Sequence, residues 1–312
     1  MRRPLDLALT GLLVVLAAVG ALRWLDVAAY PVVVLQEGGP FVVLGLVLLT
    51  LVAALLRRWW VLVASAAVSA VALGIAVPAF FSTAQPSHQA ALTVMVANLD
   101  AGRADAPELM DAVRARGVNV LVLLEATPES LDALRERGLD REFTSSAGRP
   151  VSGSRRGAMV YSRFPLKETV DKASAAAPQP LVSVQVDGVA VTVKAVHVPD
   201  AAVGVGSWRE SLGALAAWER ASVGPAVLAG GFGADWGHPA FRALTEGFQE
   251  AQRTAGLGWV RTFPMDGHRL PPYVQPDHLL SRDLTVVRAG QVAIHGTDHA
   301  LVWASYALTR GG

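Results

Sequence analysis

The sequence contains no cysteine, which excludes disulfide bonds, thiolate metal sites and a cysteine nucleophile. It also lacks a basic excess, since its net charge at pH 7 is only +1. General nucleic-acid-binding proteins usually carry many more basic than acidic residues. Charged residues are scarce, at 17%, whereas 52% of residues are hydrophobic. The composition therefore shows no strong sign of general nucleic-acid binding.

The hydrophobic residues are concentrated at the N-terminus, in three runs without a charged residue. A membrane-spanning helix needs about 20 apolar residues. The third run meets that length, and the first two reach it with their flanking residues. A cleaved signal peptide would explain only the first run, and a buried helical domain fits poorly with runs that have no polar face. We therefore expect three transmembrane helices, at about 5–25, 39–56 and 59–81.

The basic residues of this region predict its orientation. Arg2 and Arg3 precede the first helix, and Arg57 and Arg58 separate the second helix from the third, whereas the connection 26–40 contains no Lys or Arg. Basic loops stay on the cytoplasmic side. We expect a multi-pass protein of the plasma membrane, with its N-terminus in the cytoplasm and everything after the third helix outside.

The composition changes after a polar linker at 82–90, and residues 91–312 have the pattern of a soluble domain. Strand and helix patterns alternate along this domain, and a hairpin surrounds the turn Asp187–Gly188. The segment 144–157, rich in Ser, Gly and Arg, is interpreted as a loop. The fold class is therefore α/β, with either a mixed sheet or two packed sheets.

Polar residues stand at or beside the ends of the predicted strands. Each has a structural explanation when taken singly, because a Glu after a strand often begins a helix and a His can be a hydrogen-bonded core residue. Side chains at strand ends can, however, converge on one edge of a sheet. The six that we expect to converge are Asn98, Glu125, His197, Asp277, Asp298 and His299.

These residue types suit phosphate-ester hydrolysis. A hard cation such as Mg²⁺ prefers carboxylate and amide oxygens, which Glu125, Asn98 and Asp298 offer. Such a metal ion stabilises charge on the phosphoryl oxygens.

The other three residues suit proton transfer and phosphate binding. His299 is a candidate general base if Asp277 orients its ring. His197 is a candidate donor to a phosphate oxygen.

The order of motifs, "N…E…SRFPL…H…GxFx…PDH…TDH", resembles the endonuclease/exonuclease/phosphatase superfamily, which includes deoxyribonuclease-like nucleases, sphingomyelinases and inositol phosphatases. The resemblance spans the soluble domain. It implies a four-layer α/β/β/α sandwich and a Mg²⁺ or Mn²⁺ cofactor. It also implies the site residues: Asn98, Glu125 and Asp298 on the metal side, and His197, Asp277 and His299 as catalytic residues.

The motif "GGFG" departs from the resemblance, because the superfamily usually has Gly-Asp-Phe-Asn there. Gly231 stands in place of the Asp that positions the attacking water, and Gly233 stands in place of an Asn that contacts the phosphate. Asp235 is the nearest possible substitute, but it lies four residues past Gly231. General acid–base assistance contributes about 10²–10⁴ in rate, so we expect a weakened site.

Two hypotheses of function follow. The first is a membrane-anchored, metal-dependent phosphodiester hydrolase with a weakened or rearranged site. The second is an inactive relative that binds a phosphorylated ligand or a protein partner outside the cell. The expected partners of the protein are therefore the lipid bilayer and a phosphate ester. The ester can be a nucleotide, a lipid headgroup or a sugar phosphate.

Overall fold

Two six-stranded β-sheets form the centre of the folded domain, which confirms the α/β class. The computed structural model describes residues 2–169, 179–267 and 269–309. The last residues of the predicted domain, 310–312, lie outside the described residues.

Apolar helices precede the two sheets. Their bounds are α1 Arg2–Ala21, α2 Tyr30–Glu37, α3 Gly39–Leu55 and α4 Trp59–Ala76. Two stretches, Arg3–Trp24 and Trp59–Phe80, are long and apolar enough to cross a membrane. α2 and α3 meet at a bend of 59°. If these two helices together are one span, the number of candidate membrane spans is three.

Helix α2 is a difference from the sequence-based prediction, which treated 26–40 as a connection. The helix begins at Tyr30, with Pro31 in its first turn, where the absent proline N–H costs nothing. Val33, 2% exposed, packs among apolar side chains of the folded domain, including Trp208 and Leu212. This segment is therefore helical because it docks on the domain, which a local pattern does not reveal.

The first sheet has the strand order β11-β12-β1-β2-β4-β3. β1 and β2 are parallel, and the other neighbours in this sheet pair antiparallel. The strands are β1 Leu92–Asn98, β2 Val120–Leu124, β3 Ser145–Arg149, β4 Ala158–Ser162, β11 Leu284–Val292 and β12 Leu301–Leu308.

The second sheet has the order β5-β6-β7-β8-β10-β9. β7 and β8 are parallel, and the predicted hairpin joins β6 to β7. The strands are β5 Leu166–Thr169, β6 Leu181–Val186, β7 Val189–His197, β8 Ala226–Gly231, β9 Gln249–Glu250 and β10 Asp277–Arg282.

Helices pack on apolar side chains of both sheets. α5 and α6 share an apolar cluster with the first sheet, α8 and α9 share one with the second, and a third cluster contains residues of both sheets. The helices of the domain are α5 Ala106–Ala115, α6 Pro128–Glu136, α7 Leu139–Glu142, α8 Val205–Ala221, α9 Pro239–Leu244 and α10 Ala251–Thr254.

The segment 144–157 is not wholly a loop, contrary to the sequence-based prediction. Its first part is strand β3, in which Ser146 pairs with Tyr161 and Ala147 with Val160 of β4. Small polar residues carry little strand propensity, so pairing with the buried neighbour strand decides the conformation here.

Candidate active site

The second sheet brings three of the singled-out residues to one edge. His197 is the last residue of β7, and its register partner in β8 is Gly231. Asp277 begins the antiparallel strand β10 and pairs with Gly231 from the other side. Gly231 therefore lies between His197 and Asp277.

The first sheet contributes Asn98, the last residue of β1, and Glu125, directly after β2. β1 and β2 are parallel neighbours, so both side chains lie at the same edge. Asn98 Nδ2 donates a hydrogen bond to Glu125 Oε1 at 3.2 Å. His197 Nε2 lies 3.7 Å from the same oxygen, so the edges of the two sheets meet at Glu125.

Glu125 has a strained backbone. Its φ is +55°, in the left-handed region that residues other than glycine seldom adopt. The backbone N–H of Ala101 donates to Glu125 Oε2 at 3.0 Å, and burial raises the pKa of this carboxyl group against the opposing effect of Arg155. Strain of this kind persists where the surroundings hold it, and it is concentrated at functional sites.

The expected hydrogen bond between His299 and Asp277 is present. His299 Nδ1 donates to Asp277 Oδ2 at 2.7 Å, and the hydroxyl group of Thr262 donates to the same oxygen at 2.7 Å. The ring of His299 also contacts that of Phe263, with 5.0 Å between centroids. These contacts fix the orientation of the imidazole.

The two histidines have opposite pKa shifts. Burial lowers the pKa of His197 to about 4, with a further contribution from His299, so His197 is neutral at neutral pH. Burial alone would lower the pKa of His299 too, but the charge and hydrogen bond of Asp277, with Asp298 and Glu125 nearby, outweigh it and raise this pKa to about 9.

Asp298 lies on the other side of the His299 ring, with 3.8 Å between its Oδ1 and His299 Nε2. The side chain is largely buried. The structure thus places the expected Asp-His pair beside Asp277, at the same site as Glu125.

A guanidinium group that the sequence analysis missed lies among these carboxylates. Arg155 Nη2 is 2.7 Å from Asp100 Oδ1, and Arg155 Nη1 is 3.3 Å from Glu125 Oε2. Burial opposes the charged form of Arg155, but Glu125, Asp100 and Asp298 outweigh it and raise the pKa of the guanidinium. Asp100 was missed as well; it is buried and also forms an ion pair with Arg103.

Signals for both missed residues exist in the sequence. Asp100 comes two residues after Asn98, beyond the same strand end. Arg155 lies in the segment between β3 and β4, where the excess of Arg, Ser and Gly already set the loop apart.

The two glycines of "GGFG" face different surroundings. A Cβ atom on Gly231 would lie 3.7 Å from Asp277 Oδ1 and 3.9 Å from His197 Cδ2, inside the cluster. Asp277 Oδ1 is buried and has no hydrogen-bond donor among the described residues. A Cβ atom on Gly233 would instead face Trp208, 3.6 Å from its Nε1. The structure therefore brings position 231 into the site, and it does not do so for position 233.

Asp235, the possible substitute, does not join the cluster. Its Oδ1 accepts a hydrogen bond from the backbone N–H of Gly237 at 2.8 Å and lies 3.2 Å from His238 Nδ1. The carboxylate thus makes hydrogen bonds within the turn that contains it, near the N-terminal helices.

The structure does not show the metal site that was expected at Asn98, Glu125 and Asp298. Among residues 2–169, 179–267 and 269–309, no group of three or more His, Asp or Glu side chains is arranged to hold a metal ion. The guanidinium of Arg155 pairs with both Glu125 and Asp100.

Known structures have the same fold. A truncated TDP2 from Caenorhabditis elegans has a TM-score of 0.56 and 14% identity, over 69% of this chain and 97% of that one. D. rerio TDP2 complexed with a single-strand DNA product has a TM-score of 0.56 and 14% identity, over 69% of this chain and 98% of that one. An endonuclease/exonuclease/phosphatase family protein from Bacteroides thetaiotaomicron has a TM-score of 0.51 and 14% identity, over 70% of this chain and 95% of that one.

At such identities these structures establish similarity of fold only. The curated proteins gave no significant sequence match. Residues 95–299 match the sequence profile of the endonuclease/exonuclease/phosphatase family, and this range contains all six strand-end residues and position 231. The chain therefore belongs to the endonuclease/exonuclease/phosphatase family.

Proposed function

We propose that this protein is a membrane-anchored, extracytoplasmic member of its family that binds a phosphate ester and hydrolyses it slowly. The observation that carries the proposal is the arrangement at the edge of the sheets: the His299–Asp277 pair and His197 flank position 231, which has no side chain.

Binding is supported by the donors at this edge. The imidazoles of His197 and His299 and the guanidinium of Arg155 supply N–H groups from three separate elements. Charge-assisted hydrogen bonds of this type are the strongest that proteins make to phosphate oxygens. A phosphate group placed here can displace Arg155 from Glu125 and form a bidentate pair with the guanidinium.

Slow hydrolysis is supported by the missing carboxylate. The His299 ring is held by Asp277 and is protonated at neutral pH, since its pKa is about 9, so it is able to donate a proton to the leaving oxygen of the ester as a general acid does. No side chain at position 231 orients the attacking water, although a Cβ atom there would make only ordinary contacts beside Asp277 and His197. Orientation of reacting groups is a major part of catalysis, so its loss lowers turnover more than binding.

The second candidate function is binding without hydrolysis, and the ion pairs of Arg155 with Asp100 and Glu125 favour it. The family typically uses divalent metals, and here Arg155 pairs with Glu125, one of the two carboxylates expected to hold one. Mg²⁺ or Mn²⁺ therefore enters this proposal only as a weakly bound competitor of Arg155.

The four-layer α/β/β/α arrangement and the membrane topology belong to the same proposal. The three apolar clusters support the layers. The topology is supported by contacts of the connection 26–40 with the domain: Arg209 pairs with Asp26 at 2.7 Å, and the His238 ring hydrogen-bonds to Val33 O at 3.1 Å. A domain that docks on this connection lies on the same side of the membrane.

The test uses full-length protein purified in detergent. Hydrolysis of bis(p-nitrophenyl) phosphate and calorimetric binding of p-nitrophenyl phosphate are measured for the wild type, His299→Ala and His197→Ala. His295→Ala is a matched control, because His295 is an exposed histidine paired with Glu108.

We expect weak binding and slow hydrolysis in the wild type, with both lost in the two site variants and unchanged in the control. Binding without hydrolysis selects the second candidate. Equal behaviour of all four proteins contradicts the proposed site.

A further inference from the structure

A cavity of about 590 Å³ lies where the N-terminal helices meet the folded domain. Its volume is within the range of about 300–1,000 Å³ that is typical of small-molecule sites. The walls come from the last third of α1, the first half of α3 and the last half of α4, and most are apolar. Representative wall residues are Leu16, Val43, Val47, Ile75 and Ala76.

The end of the cavity nearest the domain is polar. Its charged lining residues are Arg23, Asp235 and Arg253. The guanidinium of Arg253 stacks on the ring of Trp236, 4.6 Å from its centroid, and Arg23 donates a hydrogen bond to Trp236 O at 2.8 Å. Two cations therefore contact Trp236, Arg253 at its ring and Arg23 at its backbone carbonyl.

The same ring holds a donor that is not satisfied. The indole N–H of Trp236 is buried and has no hydrogen-bond acceptor in the part of the chain that the structure describes. A buried donor without an acceptor costs about 1–3 kcal/mol. An acceptor at this end of the cavity would remove that cost.

The charge of Asp235 acts on Arg23, but Asp235 also has a second partner, so one carboxylate does not offset both arginines. Its Oδ1 lies 3.2 Å from His238 Nδ1. Burial alone would lower the pKa of His238, but the hydrogen bond and charge of Asp235 outweigh it and raise this pKa. The end of the cavity therefore favours an anion.

We propose that this cavity binds one anionic phospholipid of the surrounding bilayer. An acyl chain lies between α1, α3 and α4, and the phosphate group lies at Arg253 and Arg23, where one of its oxygens accepts the Trp236 N–H. The inference rests on the membrane anchoring in the proposed function, but it concerns a site separate from His299 and His197.

The position of the cavity selects a bilayer lipid over a soluble ligand. Its apolar walls belong to stretches that are apolar enough to cross a membrane, Arg3–Trp24 and Trp59–Phe80 among them. Its polar end lies at the domain, where the lipid headgroups of that leaflet would be. A basic residue near a membrane surface contributes about 1 kcal/mol to binding an anionic lipid.

The experiment places the full-length protein in nanodiscs made of equal amounts of phosphatidylglycerol and phosphatidylcholine. Native mass spectrometry then identifies the lipid that stays on the ejected protein. We expect one retained phospholipid, with phosphatidylglycerol enriched about fivefold over phosphatidylcholine.

Two variants, each with a matched control, test the two ends of the cavity. Arg253→Gln should abolish the enrichment, whereas Arg261→Gln should keep it, since Arg261 also stacks on a tryptophan but does not line the cavity. Ala76→Phe should fill the apolar part and remove the retained lipid. Ala70→Phe should not, because Ala70 is exposed outside the cavity.

A wild-type protein without retained lipid overturns the inference, as does equal retention in Ala76→Phe and Ala70→Phe. Equal enrichment in Arg253→Gln and the wild type overturns the assignment of the phosphate group. A protein absent from the membrane fraction of cells contradicts the anchoring itself, so the two failures are distinguishable.

Discussion

At the scale of single residues, the structure requires glycine at one position of the "GGFG" motif and does not require it at the next. A Cβ atom on Gly230 would lie 1.8 Å from Val196 O, so the close approach of β7 and β8 requires glycine there. A Cβ atom on Gly231 would make only ordinary contacts, the nearest at 3.5 Å to Leu124 Cδ1. Packing does not require glycine at position 231, which makes this position available for restoring a catalytic group.

Gly231→Asp is therefore expected to fold and to raise phosphodiester hydrolysis by at least about tenfold, because a carboxylate between Asp277 and His197 is of the kind that contributes 10²–10⁴ in rate. Hydrolysis of bis(p-nitrophenyl) phosphate by the full-length protein measures this. Gly233→Asn is the matched control: its φ of +55° suits Asn, but its side chain would face Trp208. An equal gain in both variants, or none in Gly231→Asp, contradicts the assignment of position 231.

Arg155→Ala is expected to strengthen the binding of Mn²⁺, because it removes the cation that pairs with Glu125 and Asp100. The side chain of Arg155 is 56% exposed, so the gain is limited to about fivefold, the upper range for solvent-exposed ion pairs. Calorimetry on the full-length protein gives the affinities. Adding Glu125→Gln to the Arg155 variant should abolish the binding, and an unchanged affinity in Arg155→Ala would show that the guanidinium does not compete with the metal ion.

At the scale of elements, the hairpin turn and helix α8 each hold an unobstructed glycine. A Cβ atom on Gly188 or on Gly213 would meet no atom within 4 Å, so backbone conformation alone decides the effect of a substitution. Gly188 has a φ of +81° in the turn between β6 and β7, whereas Gly213 lies within α8. The same change should therefore have opposite effects at the two positions.

Gly188→Ala is expected to destabilise the protein by about 1–2 kcal/mol, the cost of a left-handed conformation for an L-residue. Gly213→Ala is expected to stabilise it by about 0.5–1 kcal/mol, because alanine restricts the unfolded chain and favours the helix. Thermal unfolding of the full-length protein in detergent should show shifts of opposite sign. Shifts of the same sign would mean that contacts outside these two elements control their stability.

At the scale of the whole molecule, the arginines of the N-terminal region predict which side of the membrane the domain occupies. A fusion of alkaline phosphatase after Gly312 should be active, and a fluorescent protein fused there should be dark. Fusions between Arg57 and Arg58 should show the reverse. The opposite pattern at both sites contradicts the topology and, with it, the extracytoplasmic function.

The sequence alone determined what depends on local pattern: the apolar helices, the α/β class, the strand ends at Asn98 and His197, and the family. Hydrophobic periodicity and strand ends depend on residues that are neighbours in the sequence, and the order of motifs is a property of the sequence itself. Neither requires knowledge of the tertiary structure. The pairing of Arg155 with Glu125, the position of Gly231 between two site residues and the separation of Asp235 from the site were decided by the tertiary structure. These are contacts between distant parts of the chain, and only the packing of the two sheets and the docking of the N-terminal helices bring them together.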